Sequence, residues 1–448
     1  MLAPPEPPRT TIADVEPGPR TTFTQEDRPW NRFKRRYLLA LLCLTAFVNL
    51  LDRQIFALLL EPIKRDLHLS DTKLGFVTGG AFAIVYMIAG IPLSRSVDTG
   101  KRRTVLGATV LVWSVMTMCC GFARNYGQLL IGRMGVGVGE AGSMPATLSA
   151  IGDIYPANER SGAIGLIYAF TMIGTAASLL LGGYLESTLG WRQTFFVVGT
   201  PGMVLGLLFF FTTSEPVRKQ PSVNKGTLLT ALRATWKVPS FRILACMSTL
   251  FTFSGSAIVG WGPTFLIRVH HVPTSEVGRA LGMATICGAA GSFMWGKIAD
   301  HLAKRNISSL LVITALGPLL AIPALLAFLY GSGGPMLIGS YILLQVFLTA
   351  YLAPSYALAI GVTPSQSRAL TIAIIAIFQN LGGLALGPLV VGILNDTLAP
   401  RLGPLAIRYS LTVVSVGLIG VAILSAFASR HVKRDFARND KATGDRFG

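Results

Sequence analysis

Charge is the first thing this sequence lacks. Asp, Glu, Lys and Arg make up only 13% of its 448 residues, against 51% apolar, and mean hydropathy is +0.56. A soluble chain covers its surface with roughly 25% charged residues, so a water-soluble globular protein is excluded. Cysteine is scarce too. Cys43, Cys119, Cys120, Cys246 and Cys287 all fall inside apolar runs with no CxxC, so they are expected to be small buried hydrophobes rather than disulfide partners or zinc ligands. His270 and His271 have no third ligand in view, which leaves no metal site. No GxxxxGK[ST] loop is present for an ATP-driven pump, and neither HExxH nor a Ser-His-Asp pattern points to an enzyme. Gly135, Gly137 and Gly139 are spaced like a dinucleotide loop but lie within one apolar segment, where small residues permit close helix packing. No cofactor is expected.

The apolar residues are gathered into twelve runs, each near the ~20 residues that cross a bilayer: 37–60, 74–94, 104–123, 126–151, 161–186, 193–213, 241–267, 277–298, 308–330, 335–360, 368–394 and 406–429. This pattern predicts an all-α membrane protein of twelve transmembrane helices. Residues 1–36, rich in Pro, Thr and charge, read as a disordered tail without a cleavable signal; 37–213 and 240–430 read as the two membrane halves. The 214–239 link carries KGTLLTALRATWK, whose alternation of apolar and basic residues predicts a surface helix, and 431–448 form a second tail. Net charge is +18, but the basic residues sit in short links between spans, so positive-inside bias explains them better than nucleic-acid binding. With the N-terminus inside, 26 Lys and Arg fall on the inner side and 9 on the outer. Both termini are therefore expected in the cytoplasm.

The two halves repeat a signature. After span two comes PLSRSVDTGKRR, with Asp98, Arg102 and Arg103; after span eight comes GKIADHLAKR, with Asp300, Lys304 and Arg305. Six spans separate the copies, as duplication of a six-helix bundle requires. Each Asp is expected to latch a helix N-terminus, near Gly162 and Ala369, in a gate worth ~0.3–1 kcal/mol per contact.

Four charges lie inside spans. Arg133 and Glu140 in span four are seven residues apart; at ~100° per residue they share one helix face, separated by about 10.5 Å. Asp52 and Arg53 lie in span one, and Asp52 and Arg133 fall at similar depth, ~10–12 Å below the outer surface, close enough to pair. Glu140 lies deeper, with Arg53 facing away or reaching it from the side. Ionisable groups at this depth cost ~2.5–3.5 kcal/mol or more, which marks a polar cavity or a proton relay. We expect Asp52, Glu140, Arg53 and Arg133 to carry proton coupling, with Arg133 and Glu140 also meeting substrate.

At this point the sequence resembles the major facilitator superfamily over residues 36–430. The superfamily's G-x-x-x-D-x-x-x-[KR]-[KR] link is intact at Gly296–Arg305, whereas Ser94 and Thr99 depart from it in the first copy. Asn49-Leu-Leu-Asp52-Arg53, Gly137-Val-Gly139-Glu140-Ala141 and Gly152-Asp153-Ile-Tyr-Pro with Arg160 are similar to the Spinster family. Where that family continues with Ser and an aromatic residue, this chain has Gly142, Ser143 and Met144. The resemblance implies alternating access between two six-helix bundles in an inner membrane, by a monomer carrying a lipid-like substrate of the lysophospholipid or sphingosine-1-phosphate type. Proton-coupled export of drugs or organic anions stays open, as does a receptor or scaffold that moves nothing.

The second half has no acid in mid-span. Its polar cavity candidates are Thr252, Ser254 and Ser256 in span seven, Tyr341, Gln345 and Tyr356 in span ten, and Gln379 and Asn380 in span eleven. Phe251, Phe253, Trp261, Tyr351 and Phe378 are candidates to line an acyl-chain compartment.

Overall fold

The structure is a computed structural model that describes residues 32–98, 102–215, 235–305, 309–363 and 368–443. The expected N-terminal tail, the surface helix of the 214–239 link and the end of the C-terminal tail lie outside the described residues.

Eight helical runs among the described residues are long and apolar enough to cross a membrane. Two of them, Asn158–Thr212 and Thr371–Ser429, carry two spans each. The first reverses at Gly190 (φ 78°) and the second at Gly403 (φ 53°), a left-handed conformation that glycine adopts without steric cost. Spans four and eight complete the twelve. Span four is broken at Gly142 into Tyr126–Ala141 and Ser143–Ile154, and span eight, Thr274–Arg305, carries Arg279, Lys297 and Asp300. Span ten is broken between Gly334–Thr349 and Leu352–Gly361, where the Pro354 ring opposes the carbonyl of Ala350.

Span one runs from Arg32 to Leu67, beyond the expected 37–60 at both ends, and Lys64 and Arg65 in its last turn complement the helix dipole. The last helix, Ser415–Thr443, continues past the expected end of the span. Asp435 accounts for the extension: it accepts hydrogen bonds from the Ser240 hydroxyl at 2.6 Å and backbone N–H at 3.3 Å, holding the helix against the start of span seven.

The first six spans pack around Phe82, Val110, Trp113, Val136 and Phe209. A second core, including Phe56, Phe195, Phe241, Trp261 and Phe265, runs across both halves. The halves meet most tightly at the end away from the termini. There Gly75 and Gly79 of span two lie so close to Pro388 and Leu384 of span eleven that a methyl group would overlap the opposing carbonyls. Gly183 of span five faces Thr274 and Gly278 of span eight in the same way. Spans two and eleven each take a π-helical turn where they meet, at Phe76–Gly80 and Gln379–Leu384; such turns mark functional bends. Toward the termini, Gly90, Gly162, Gly165 and Gly296 have no heavy atom against them within 4 Å. Among the described residues, the close approach of the two halves through glycines is confined to the end away from the termini.

Candidate translocation site and gate

The four buried charges converge: of the expected pairings, Arg53 does reach Glu140 from the side, while Asp52 and Arg133 do not pair. Arg53, rather than Arg133, finds the span-four acid: its Nε donates to Glu140 Oε2 at 3.0 Å and its Nη2 also bonds that oxygen. The Arg53 guanidinium lies 4.6 Å from the centre of the Phe82 ring. Arg133 does not pair with Asp52. It stacks 4.4 Å from the centre of the Phe56 ring, and among the described residues it forms no ion pair. Its side chain is buried and its Nε has no hydrogen-bond partner. Asp52 is wholly buried and accepts a 3.4 Å hydrogen bond from the Thr117 hydroxyl at Oδ2, while Oδ1 has no partner. The rotation of span one explains this: Asp52 points toward span three, and its neighbour, ~100° round the helix, reaches Glu140.

Two cavities adjoin this cluster. One, about 180 Å³, lies between the halves, with Arg53, Arg133 and Phe82 on one wall and Ser256, Gly260 and Pro388 on the other. The second, also about 180 Å³, lies inside the first half among Asn49, Tyr86, Glu140, Thr147, Tyr168 and Thr171. Arg53 lines both, so the Arg53–Glu140 pair is the partition between them.

In the second half, Ser256 faces the central cavity and donates to Gly383 O at 3.2 Å. Tyr356 donates to Gln379 Oε1 at 3.1 Å, Asn380 Nδ2 to Ala376 O at 2.7 Å, and Gln345 is partly buried beside Gly288. Gln345, Tyr356, Gln379 and Asn380 line neither of the two cavities at the charge cluster, and the same holds for Ser254 and Tyr341. Ser254 is buried and donates to Val414 O at 2.9 Å, and Tyr341 is buried with its ring 5.0 Å from that of Phe328. A lone hydroxyl in an apolar helix is commonly satisfied by a nearby carbonyl. The aromatic compartment also resolves into packing: Phe251 stacks on Tyr351 at 4.1 Å, and Trp261 donates to Pro388 O at 2.9 Å from the core.

The paired loop signatures have different surroundings. Arg102 is buried, bonded to Asp153 at 2.9 Å and to Ser149 at 2.7 Å, and Arg103 donates to Thr213 O at 2.9 Å. Glu215 caps the helix that these residues start, accepting from the Arg102 N–H at 2.5 Å. These bonds brace the first half internally and do not join it to the second. Asp300 and Lys304 are exposed, and the side chains of Asp98 and Arg305 lie outside the described residues.

Sequence reasoning missed the latch at the closed end. Arg268 of span seven reaches across to Glu61 (Nη2–Oε2 2.7 Å) and to Asp71 (Nη1–Oδ2 2.5 Å). Lys64 also holds Asp71, at 2.6 Å. Asp396 of span eleven accepts from the backbone N–H groups of Asp71 at 3.0 Å and Thr72 at 2.8 Å, capping span two from the opposite half. The available signal was acidic: Glu61, Asp66 and Asp71 crowd one link of a basic protein.

A bundle of twelve membrane helices, closed by polar bonds at one end and holding buried charges beside a cavity between its halves, has the architecture of an alternating-access transporter. The family model described as Major Facilitator Superfamily matches residues 42–334. An MFS-type efflux pump of Mycolicibacterium smegmatis is 34% identical over 402 residues, 88% of this chain and 92% of that protein. Protein spinster homolog 1 of Xenopus tropicalis is 26% identical over 462 residues, 92% of this chain and 86% of that one. The crystal structure of a bacterial homologue of the human lysosomal transporter Spinster, inward-facing and unoccupied, superposes with a TM-score of 0.82 at 27% identity, over 90% of this chain and 99% of that one. The chain belongs to the Major Facilitator Superfamily. It is a multi-pass membrane transporter and not an enzyme.

Proposed function

We propose that the protein is a proton-coupled secondary transporter of a lipid-like amphiphile, working as a monomer in an inner membrane with both termini in the cytoplasm. The end opposite the latch then faces the cytoplasm. The observation that carries this reading is the partition. Arg53 and Glu140 form an ion pair between two cavities, while Arg133 has no acid and Asp52 no base. A proton arriving at Glu140 releases Arg53, and two guanidiniums then face the cavity between the halves, where their forked donors suit a phosphate or another oxyanion. Asp52, with one hydroxyl donor and no cation, is the second group able to take up and return a proton. The apolar floor around Pro388, Leu384 and Val259 receives the tail. Likeness to Spinster proteins at 26–27% identity supports the lipid reading.

One observation favours a second reading: the relative at 34% identity is an efflux pump, so proton-coupled export of drugs or organic anions uses the same machinery. Proteoliposome uptake driven by an imposed pH gradient tests the proposal. Asp52→Asn and Glu140→Gln should each abolish driven uptake, and lysolipids should compete with it. Normal driven uptake in both variants, at equal protein incorporation, reduces the cluster to structure; drugs that compete where lysolipids do not would establish the second reading.

A further inference from the structure

We infer that the pocket inside the first half binds the ammonium group of the amphiphile, a role separate from that of the cavity between the halves. The inference rests on the amphiphile reading above and assigns one end of its head group. Glu140 spends only Oε2 on Arg53; its Oε1 is buried without a hydrogen-bond partner, and the residue lines the pocket. A buried carboxylate oxygen left unpaired costs free energy that a donor from a ligand would recover. Around it stand Tyr86, Tyr168, Asn49, Thr147 and Thr171, which supply aromatic rings and neutral polar groups. The pocket's own cation is Arg53, already committed to Glu140 and to the Phe82 and Tyr86 rings. An anion therefore finds little here. A protonated amine or quaternary ammonium finds a carboxylate oxygen and the uncommitted Tyr168 ring, a combination that recognises such cations.

The geometry gives the site a second consequence. An ammonium on Oε1 shares the carboxylate's charge with Arg53 on Oε2 and so weakens, without replacing, the pair that a proton would break. An amphiphile with an ammonium and a phosphate occupies both sides of the partition at once. Tyr168 is half-exposed, and it and the other pocket residues lie toward the end opposite the latch, so the head enters from there in this conformation.

Matched probes with one tail test this on the full chain in nanodiscs: octyltrimethylammonium, octylphosphocholine and octyl phosphate, followed by ligand-induced thermal stabilisation. Tyr168→Ala removes a half-exposed ring without opening a core, and Thr147→Leu fills the pocket without touching Glu140. Both variants should weaken octyltrimethylammonium and octylphosphocholine by about tenfold, the scale of one lost cation–ring or charge-assisted contact, and leave octyl phosphate unchanged. If the ammonium probes ignore both variants, or octyl phosphate weakens equally, the ammonium site is overturned while the transport reading stands. If no probe binds and none competes with pH-driven uptake, both fall.

Discussion

Replacing Arg268 with alanine should open the closed end of the transporter. The Arg268 side chain is 13% exposed, Glu61 7% and Asp71 2%, so solvent screens this junction only weakly. Arg268 supplies four hydrogen bonds, two to each acid, and every one joins the two halves. Removing one partner from a buried ion pair costs ~3–5 kcal/mol. Lys64 still holds Asp71 at 2.6 Å and Arg65 still reaches Glu61 at 3.2 Å, so the lower limit applies. About 3 kcal/mol lost from this conformation alone shifts the equilibrium toward opening here by about two orders of magnitude, at 1.4 kcal/mol per tenfold. Asp396→Ala removes a helix cap and should shift it by ~1 kcal/mol, roughly fivefold. Spin labels at the exposed positions Ser187 and Arg401, on opposite halves at this end, report the change as a second, longer distance. An Arg268→Ala distribution identical to that of the parent, with transport intact, would show that apolar contact alone closes this end and that the latch is incidental.

Other outcomes follow from the same geometry. Arg102→Ala removes a buried guanidinium, leaves part-buried Asp153 without its partner and should lower thermal stability by an amount equivalent to ~3 kcal/mol, while the Ser187–Arg401 distance stays unchanged. Gly139→Ala drives a methyl group to 2.7 Å from Trp113 Cβ and should cost about 1–3 kcal/mol by prising span four from span three, read as a lower melting temperature. The proposed orientation predicts that membrane-impermeant thiol reagents miss cysteines introduced near residues 30, 225 and 440 and label those near 190 and 401; the reverse pattern inverts the topology.

The twelve spans were legible because bilayer thickness sets their length, and the polar cluster was legible because charge inside an apolar run is conspicuous. Which charges pair was legible only in part: Arg53 reaching Glu140 from the side was one of two readings, and the Asp52–Arg133 pair does not form. Arg133 and Glu140 share a helix face, as their spacing requires, but the base that reaches Glu140 depends on the rotation of span one, and periodicity within span four carries no information about it. Ser254 and Tyr341 read as cavity residues because sequence shows a polar group without the carbonyl or ring that satisfies it. The latch escaped for the opposite reason: bases at span ends are read as topology signals, so Arg268 enters a count of Lys and Arg while its partners Glu61 and Asp71 enter none.

Span one joins these observations. It is helical without interruption from Arg32 to Leu67, and it carries Asp52 and Arg53 at the cavities and Glu61 and Lys64 at the latch. Arg53 and Glu61 are eight residues apart, about 12 Å along the axis, with no break before Pro62 to absorb a displacement. A ligand or proton that takes Glu140 from Arg53 removes a bond tying span one to span four, and span one also supplies Glu61 to the latch and Lys64 to its Asp71. Rotation of that helix by one residue step, ~100°, would withdraw Glu61 from Arg268 altogether, so even a small part of that motion lengthens charge-assisted bonds that operate only at close range. The shared helix predicts that occupancy of the cavities and closure of the far end are coupled, and a variant that changes one should be measured for the other.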